Sequence, residues 1–236
     1  MLNKFSRWGA AFLDAVLPAE CVVCCRSLVD GERFICLHCD YELPRLTIDS
    51  FIENEIHYTL ATTNPVAKAA GLFYYHRGSP FTKLIHQAKY NDRPQLARWL
   101  GEQLGYEYQS KGLFDEINAF VPVPINWFKE MRRGYNQSYI IAQGLSEVTG
   151  IPIIDCLKAK PHSTQTHKTA RRRAQNAKGI YRAKKIYHHE LSRYTHLMIV
   201  DDVITTGSTV LQCVEALREI NRNLKVSVIA PAITKV

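Results

Sequence analysis

Short apolar runs alternate with longer amphipathic stretches along most of the chain. The apolar runs have the length of buried strands and lie at residues 71–75, 117–123, 151–154, 197–201 and 226–230. Apolar positions recur at helical spacing in the stretches at residues 80–89, 94–106, 136–148 and 208–220. Because strands alternate with helices, the pattern predicts an α/β fold with a parallel sheet flanked by helices.

Five of the seven cysteines are concentrated near the start of the chain and include two C-x2-C pairs. The paired residues are Cys21 with Cys24 and Cys36 with Cys39. This spacing is typical of a tetrahedral structural Zn²⁺ (zinc) site, since each pair forms a knuckle that delivers two thiolates. Disulfides are disfavoured because the sequence shows no export signal. Two alternatives stay open: Cys25 could replace Cys24, and His38 could act as a substitute ligand.

The remaining pattern sets the predicted domain boundaries. The units are an amphipathic helix at residues 1–18, a zinc ribbon at 19–45, a polar linker at 46–65 and the α/β domain at 66–236. A hydrophobic content of 46% excludes a disordered chain. No apolar run approaches the roughly 18 residues that cross a bilayer, so we expect a cytoplasmic protein without a transmembrane segment.

The charge of the chain is concentrated in one segment. Lys and Arg number 30 against 22 Asp and Glu, a formal net charge of +8. Residues 158–185 contain ten of the basic residues and no acidic one, which leaves 20 basic against 22 acidic residues elsewhere. The segment lacks clean periodicity, so we expect a long mobile loop. Its charge indicates an anionic partner, either a phosphate-rich small molecule or nucleic acid.

The predicted helix at residues 80–89 has one apolar face and one basic face. The basic face carries Lys83, His86 and Lys89. Two interpretations stay open for it: a solvated helix surface, or a surface that binds phosphates or stacked bases. For His86 alone, an ordinary surface histidine is favoured over a catalytic one.

The strongest chemical signal is the sequence VDDVITTGST at residues 200–209. A buried strand ends in two carboxylates, and a loop of hydroxyl residues around Gly207 leads into a helix. Loop N–H groups, hydroxyls and the helix N-terminus can together cradle a phosphate. Asp201 and Asp202 can accept hydrogen bonds from vicinal hydroxyls or bind them through a divalent metal. A phosphorylated sugar presents both features, and α/β sheets bind ligands at this end of a strand.

Residues 200–209 resemble the phosphoribosyl pyrophosphate (PRPP) motif of type I phosphoribosyltransferases. Other segments are similar to the ComF family of competence-associated, phosphoribosyltransferase-like proteins. They are IHQAKY at 85–90, VPVP at 121–124, RGYNQ at 133–137, Thr164-Gln165 and RAQN at 173–176. Together with the cysteine pairs, they extend the resemblance over nearly the whole chain from about Cys21. It implies a type I phosphoribosyltransferase fold, α/β, with a small N-terminal four-cysteine zinc ribbon.

The resemblance also implies roles for individual residues. Asp201 and Asp202 would be the catalytic pair that holds the ribose hydroxyls, with Mg²⁺ bound alongside PRPP. The residues expected around the 5-phosphate are Thr205, Thr206, Gly207, Ser208 and Thr209. Arg132 and Arg133 would approach the pyrophosphate, because a guanidinium pairs bidentately with phosphate oxygens. The flexible loop expected to close over the site carries Lys160, Gln165, Arg171, Arg172 and Arg173.

ComF proteins are associated with DNA uptake during natural transformation, so the resemblance implies single-stranded DNA as a partner. Contact with DNA-uptake or helicase machinery is a further expectation. A basic groove with aromatic stacking surfaces suits a single strand. The aromatic residues expected to supply those surfaces are Tyr74, Tyr75, Tyr90 and Trp99.

Three functional hypotheses follow. The favoured one is a zinc-containing ComF protein that binds PRPP and acts on internalised single-stranded DNA. The second is an active phosphoribosyltransferase of nucleotide salvage with an unknown acceptor. The third is a zinc-ribbon nucleic-acid adaptor with a vestigial sugar site. The intact Asp201-Asp202 pair weighs against the third hypothesis, because a vestigial site need not retain it.

Overall fold

A computed structural model describes residues 19–60, 66–90, 93–160 and 179–234, without the side chains of Tyr90 and Lys129. The helix predicted for residues 1–18 lies outside these residues. The strands are β1 (Ala69–Tyr74), β2 (Ala119–Pro122), β3 (Leu157–Ala159), β4 (Tyr181–Ala183), β5 (His196–Val200), β6 (Val203–Ile204) and β7 (Lys225–Ile233). The helices are α1 (Leu37–Tyr41), α2 (Glu55–Leu60), α3 (Thr82–Tyr90), α4 (Pro94–Tyr108), α5 (Trp127–Arg133), α6 (Gln137–Thr149), α7 (His188–Leu191) and α8 (Ser208–Arg218).

The central sheet is parallel throughout the described residues, with the strand order β1-β7-β5-β2 and with β6 paired to β7. Its strands are almost entirely buried, as expected when helices cover both faces of a sheet. One face packs against α3, α4 and α6, and the other against α2 and α8. The predicted α/β class with a parallel sheet is therefore confirmed.

Helices α4 and α6 approach closely because glycines line their contact. A Cβ atom at Gly101 would collide with the backbone of Ile141, and one at Gly144 would collide with the carbonyl oxygen of Arg98. The close approach fixes α6 against the sheet. This matters for function, since the first turn of α6 contributes to the site described below.

Several elements differ from the sequence expectation. Part of the expected linker forms α2, whose Ile56 and Leu60 are buried one helical turn apart. Arg132 and Arg133, between the predicted strand at 117–123 and the predicted helix at 136–148, form the last turn of α5, which ends at Gly134 with φ 77°. Residues 151–154 form a single parallel bridge to Phe120 rather than a full strand. Short helices and single bridges leave too few residues for a periodic pattern.

The cysteine-rich segment packs onto the α/β domain rather than standing apart. Phe34 contacts the ring of Trp99 with centroids 5.9 Å apart, and Arg33 forms a salt bridge of 3.0 Å with Glu102. Lys83 on α3 donates a hydrogen bond of 2.7 Å to the carbonyl oxygen of Val23. Among the helices described, none has both the length and the apolar character needed to cross a membrane.

Candidate anion and metal sites

The two adjacent carboxylates lie at a break between two strands. Strand β5 ends at Val200 and β6 begins at Val203, and both pair with β7. Asp201 and Asp202 occupy the step between them, at the carboxyl end of the parallel sheet. The backbone N–H of Asp201 still donates to the carbonyl of Ile229, so the step stays anchored to the sheet.

Asp201 is almost completely buried, with 8% of its surface exposed. One of its oxygens, Oδ1, accepts hydrogen bonds from the backbone N–H of Asp202 at 2.8 Å and from Ser138 Oγ at 3.3 Å. Burial, followed by the negative charge of Asp202, raises the pKa of Asp201 to about 7. A strongly perturbed carboxylate at the ligand-binding edge of a sheet is typical of a functional site.

Lys89 compensates the charge of the carboxylate pair. Its Nζ lies 2.9 Å from Asp202 Oδ2, and both side chains are largely shielded from solvent. Sequence analysis left the basic face of α3 unresolved between a solvated surface and a binding surface. For Lys89 the structure gives a definite role, which the sequence did not indicate because 113 positions separate it from Asp202. The IHQAKY segment, singled out only by resemblance, was the available signal.

The RGYNQ segment at residues 133–137 connects the elements that surround the carboxylate pair. Asn136 caps α6 by accepting from the Ser138 N–H at 3.1 Å and donates to the carbonyl of Val123 at 3.0 Å. Tyr135 donates to the carbonyl oxygen of Ala88, the neighbour of Lys89, at 2.7 Å. These bonds join α3, α6 and the end of β2, and they hold Ser138 and Lys89 against the two carboxylates.

The loop at residues 205–209 leads directly from β6 into α8. Gly207 adopts φ +71° as the residue before the helix, and a Cβ atom there would collide with Leu60. Thr205, Thr206 and Ser208 are exposed, so their hydroxyls and the first N–H groups of α8 are accessible to an anion. The hydroxyl-rich loop therefore lies between β6 and the start of α8, and its binding of a phosphate stays a prediction.

The other predicted anion-binding residues are distributed as follows. Arg133 is half-buried and donates to Oε1 of Gln137, the neighbour of Asn136, at 2.7 Å, whereas Arg132 is exposed on α5. Lys160 is exposed at the end of β3. The remaining loop residues, Gln165, Arg171, Arg172 and Arg173, lie outside the described residues.

The aromatic residues expected as stacking surfaces are only partly available. Trp99 is 9% exposed and packs on Phe34, so the expectation is wrong for this residue. Trp99 lies on the buried face of α4 together with the other buried residues of that helix, and this position explains its low exposure. Tyr74 and Tyr75 are half-buried at the end of β1.

Four cysteine sulfurs converge in the N-terminal segment. The Sγ atoms of Cys21, Cys24, Cys36 and Cys39 all lie within 4.8 Å of one another. The Cys24 and Cys36 sulfurs are 3.7 Å apart, close to the ~3.8 Å edge of a tetrahedron built with zinc–sulfur bonds of about 2.3 Å. The donor set therefore fits a closed zinc site that leaves no position for a substrate.

The geometry of the first knuckle selects among the sequence alternatives. Cys25 is exposed with φ +61° and lies outside the cluster, and His38 is also exposed and outside it. Burial alone would raise the pKa of the Cys21 thiol, but N–H groups of Cys24 and Cys36 directed at its sulfur lower that pKa to about 7. Such N–H groups stabilise a thiolate, the form that binds metal.

Fold and site together define an α/β protein with a carboxylate pair and a hydroxyl loop at one sheet edge and a four-cysteine cluster packed beside it. No family model matches the chain. The chain is similar to competence protein F of Haemophilus influenzae, 25% identical over 211 residues that cover 85% of this chain and 91% of that protein. These features and this relative confirm the resemblance to the ComF family.

The chain is also similar to the DNA utilization protein YhgH of enteric bacteria. The Salmonella typhimurium protein is 33% identical over 144 residues, and the Escherichia coli protein is 32% identical over 149 residues. Each match covers 58% of this chain and 61% of the relative, so it spans less than two thirds of YhgH.

Among solved structures, the chain is similar to a glutamine PRPP amidotransferase from B. subtilis in complex with ADP and GMP. The two share 23% identity and a TM-score of 0.42, over 61% of this chain and 30% of the other. An allosteric regulatory enzyme of purine biosynthesis matches with 21% identity and a TM-score of 0.39.

The four-cysteine cluster predicts one bound zinc ion per chain, and neighbouring cysteines provide a matched test. Cys24→Ser removes a ligand that lies within the cluster, so the purified protein is expected to lose most of its zinc. Cys25→Ser changes an adjacent thiol that lies outside the cluster, so it is expected to keep one zinc per chain. Elemental analysis of both variants checks the prediction, and zinc loss from Cys25→Ser alone would contradict the ligand set.

The buried carboxylate predicts a pH-dependent stability. The unfolded chain ionises Asp201 near pH 4, whereas the folded protein retains its proton up to about pH 7. Folding stability therefore falls as the pH rises through this window. Asp201→Asn is expected to raise the free energy of unfolding at pH 8 by about 1–3 kcal/mol, with no gain at pH 4.

Denaturant titrations at pH 4, 6 and 8 measure this difference. The control is Asp155→Asn, whose carboxylate is 45% exposed and forms an ion pair with Lys184. An equal gain for Asp201→Asn at pH 4 and pH 8 would show that burial of the charge is not the cause.

Proposed function

We propose that this protein binds PRPP with Mg²⁺ and acts on single-stranded DNA in DNA uptake. The observation that carries the proposal is the convergence of a carboxylate pair, a hydroxyl loop and a helix N-terminus at one sheet edge. The motif resemblance supports PRPP as the ligand, and the names of the relatives, competence protein F and DNA utilization protein, support the biological role.

The described residues suit the parts of PRPP. The N–H groups of the first turn of α8 and the exposed hydroxyls of Thr205, Thr206 and Ser208 suit the 5-phosphate. Asp201 and Asp202 suit the ribose hydroxyls, which can donate hydrogen bonds to carboxylate oxygens. Carboxylate oxygens are also the ligands that Mg²⁺ prefers, and the ion would neutralise negative charge on the pyrophosphate.

Lys89 and the arginines suit the anionic part of the ligand. Lys89 Nζ lies 2.9 Å from Asp202 Oδ2 at the same edge of the sheet and is a cation of the kind that pairs with phosphate oxygens. Arg132 and Arg133 lie on the helix that follows the end of β2, where the resemblance assigns pyrophosphate contact. The resemblance assigns the basic segment 158–185 to a loop that closes over the site, so we expect it to add further positive charge.

Single-stranded DNA requires exposed rings and positive charge beside each other. Trp127 and Phe128 are both exposed on α5, and their rings contact with centroids 5.1 Å apart. Arg132 is exposed on the same helix. Aromatic rings stack on bases, and a guanidinium pairs with the phosphates of the strand. Helix α5 is thus a proposed contact surface for DNA.

Loss of both carboxylates is expected to abolish PRPP binding. In Asp201→Ala with Asp202→Ala, the ribose hydroxyls and Mg²⁺ lose their oxygen acceptors, so affinity for PRPP with Mg²⁺ falls below detection by calorimetry. The control is Asp155→Ala, which removes a carboxylate of the same type from a surface ion pair. Thermal unfolding of both variants verifies the fold.

Retained PRPP affinity in the double variant would overturn the assignment of the site. Absence of PRPP binding by the wild-type protein would instead favour the adaptor hypothesis. Pyrophosphate release in the presence of an acceptor would favour the phosphoribosyltransferase of nucleotide salvage.

DNA binding through α5 predicts a defined mutational and salt response. Trp127→Ala with Phe128→Ala removes two stacking rings and is expected to weaken oligonucleotide binding by about 10- to 100-fold. The affinity of the wild-type protein is expected to fall steeply with salt, because counterions are released from the phosphates. Fluorescence anisotropy of a labelled oligonucleotide measures both.

The control is Tyr106→Ala, which removes a ring from α4 that is 65% exposed, close to the exposure of Phe128 at 64%. A similar loss of affinity in the control and in the α5 variant would remove α5 as the specific surface.

A further inference from the structure

The two-stranded sheet formed by β3 and β4 packs against the helix that follows the hydroxyl loop. The strands are antiparallel, and Leu157 lies opposite Ala183. On the face that carries this pair, Leu157 is buried, and Tyr181 and Ala183 pack against the hydrophobic cluster to which α8 contributes. Lys158 and Arg182, on the other face, are exposed. Strand β4 therefore places Tyr181 on the side that contacts α8.

Tyr181 contacts the first turn of α8. The Thr209 side chain forms a hydrogen bond with the Tyr181 hydroxyl. Thr209 is the second residue of α8 and is half-buried, whereas Thr205, Thr206 and Ser208 are exposed. A residue of β4 thus bonds to a hydroxyl that the sequence predicts as part of the phosphate site, although 28 positions separate the two in the chain.

The direction of this hydrogen bond follows from the chemistry of a bound phosphate. A phosphate dianion only accepts hydrogen bonds, and a threonine hydroxyl has a single proton. When Thr209 donates that proton to a phosphate oxygen, it can only accept from Tyr181. Burial, followed by the neighbouring Cys213 and Asp201, raises the pKa of Tyr181 to about 12, so its proton is present at neutral pH. Consecutive hydrogen bonds of this kind strengthen one another.

The same bond limits the conformational freedom of Thr209. A threonine side chain in a helix divides between two rotamers, and a bond to a neighbouring hydroxyl favours one of them. Tyr181 itself has little freedom, because its ring is half-buried against the hydrophobic cluster. A hydroxyl that is oriented before the ligand arrives lowers the entropic cost of binding. The contact therefore prepares one donor of the expected phosphate site.

We propose that Tyr181 is a positioning residue for the 5-phosphate of the ligand. It orients the Thr209 hydroxyl and donates to it while Thr209 donates to a phosphate oxygen. The proposal rests on the proposed function, because it takes the hydroxyl loop and the start of α8 as the place of the 5-phosphate. It also gives the described end of the basic segment 158–185 a role in ligand binding that does not depend on charge.

Tyr181→Phe removes the hydroxyl and keeps the ring with its packing. Calorimetry of the whole protein is expected to show an affinity for PRPP with Mg²⁺ that is about 3- to 10-fold weaker. The affinity for pyrophosphate with Mg²⁺, which has no 5-phosphate, is expected to stay unchanged. The control is Tyr187→Phe, which removes the hydroxyl of another half-buried ring on the same hydrophobic cluster and is expected to bind PRPP like the wild type. Thermal unfolding verifies that both variants are folded.

A double-mutant cycle tests whether Tyr181 acts through Thr209. Thr209→Val removes the hydroxyl and is expected to weaken PRPP binding by about 10- to 100-fold. In this background Tyr181→Phe is expected to cause no further loss, because the hydroxyl that Tyr181 positions is gone. Thr209→Ser retains a hydroxyl, so in that background Tyr181→Phe is again expected to weaken binding. A tyrosine that only stabilised the fold would weaken binding by the same factor in all three backgrounds.

The outcomes separate the positioning role from the proposed function. If the wild-type protein binds PRPP and Tyr181→Phe binds it equally well, the positioning role is overturned and the proposed function stands. Equal losses with and without the Thr209 hydroxyl, or an equal loss of pyrophosphate affinity, overturn the positioning role in the same way. If the wild-type protein does not bind PRPP, the proposed function fails and the positioning role fails with it.

Discussion

The arrangement of the site depends on two adjacent carboxylates at the break between β5 and β6. A buried charge is costly unless it is paired or protonated, and Asp201 is buried directly beside the second carboxylate. The protein meets this cost with a raised pKa at Asp201, a hydrogen bond from Ser138 and an ion pair between Lys89 and Asp202. Each partner comes from a different helix, so the carboxylates connect α3 and α6 to the same sheet edge.

The N-terminal cysteine cluster contributes to this arrangement through α3. Lys83 near the start of α3 bonds to the carbonyl of Val23, between two of the clustered cysteines. Lys89 at the other end of the same helix bonds to Asp202. A short cysteine-rich segment needs a cross-link to stay folded, and a metal supplies one. A single nine-residue helix therefore contacts both the cysteine-rich segment and the carboxylate pair.

Much of the architecture could be predicted from the sequence because the spacing of apolar residues within each strand and helix indicates that element. Buried strands and long amphipathic helices produce such patterns, and the PRPP-like motif is continuous in the chain. The sequence did not predict Lys89 and Ser138 as partners of the carboxylates, because only the fold brings each of them close to its aspartate. Ser138 and Asp201, for example, are 63 positions apart in the chain. Helix α2 was not predicted because two buried apolar residues one turn apart give no periodic signal.

Charge also explains why the proposed ligand needs this particular surrounding. A sugar bearing phosphates brings negative charge to a place that already holds two carboxylates. Its binding therefore requires positive charge at the same sheet edge, where Lys89 and the N-terminal end of α8 lie.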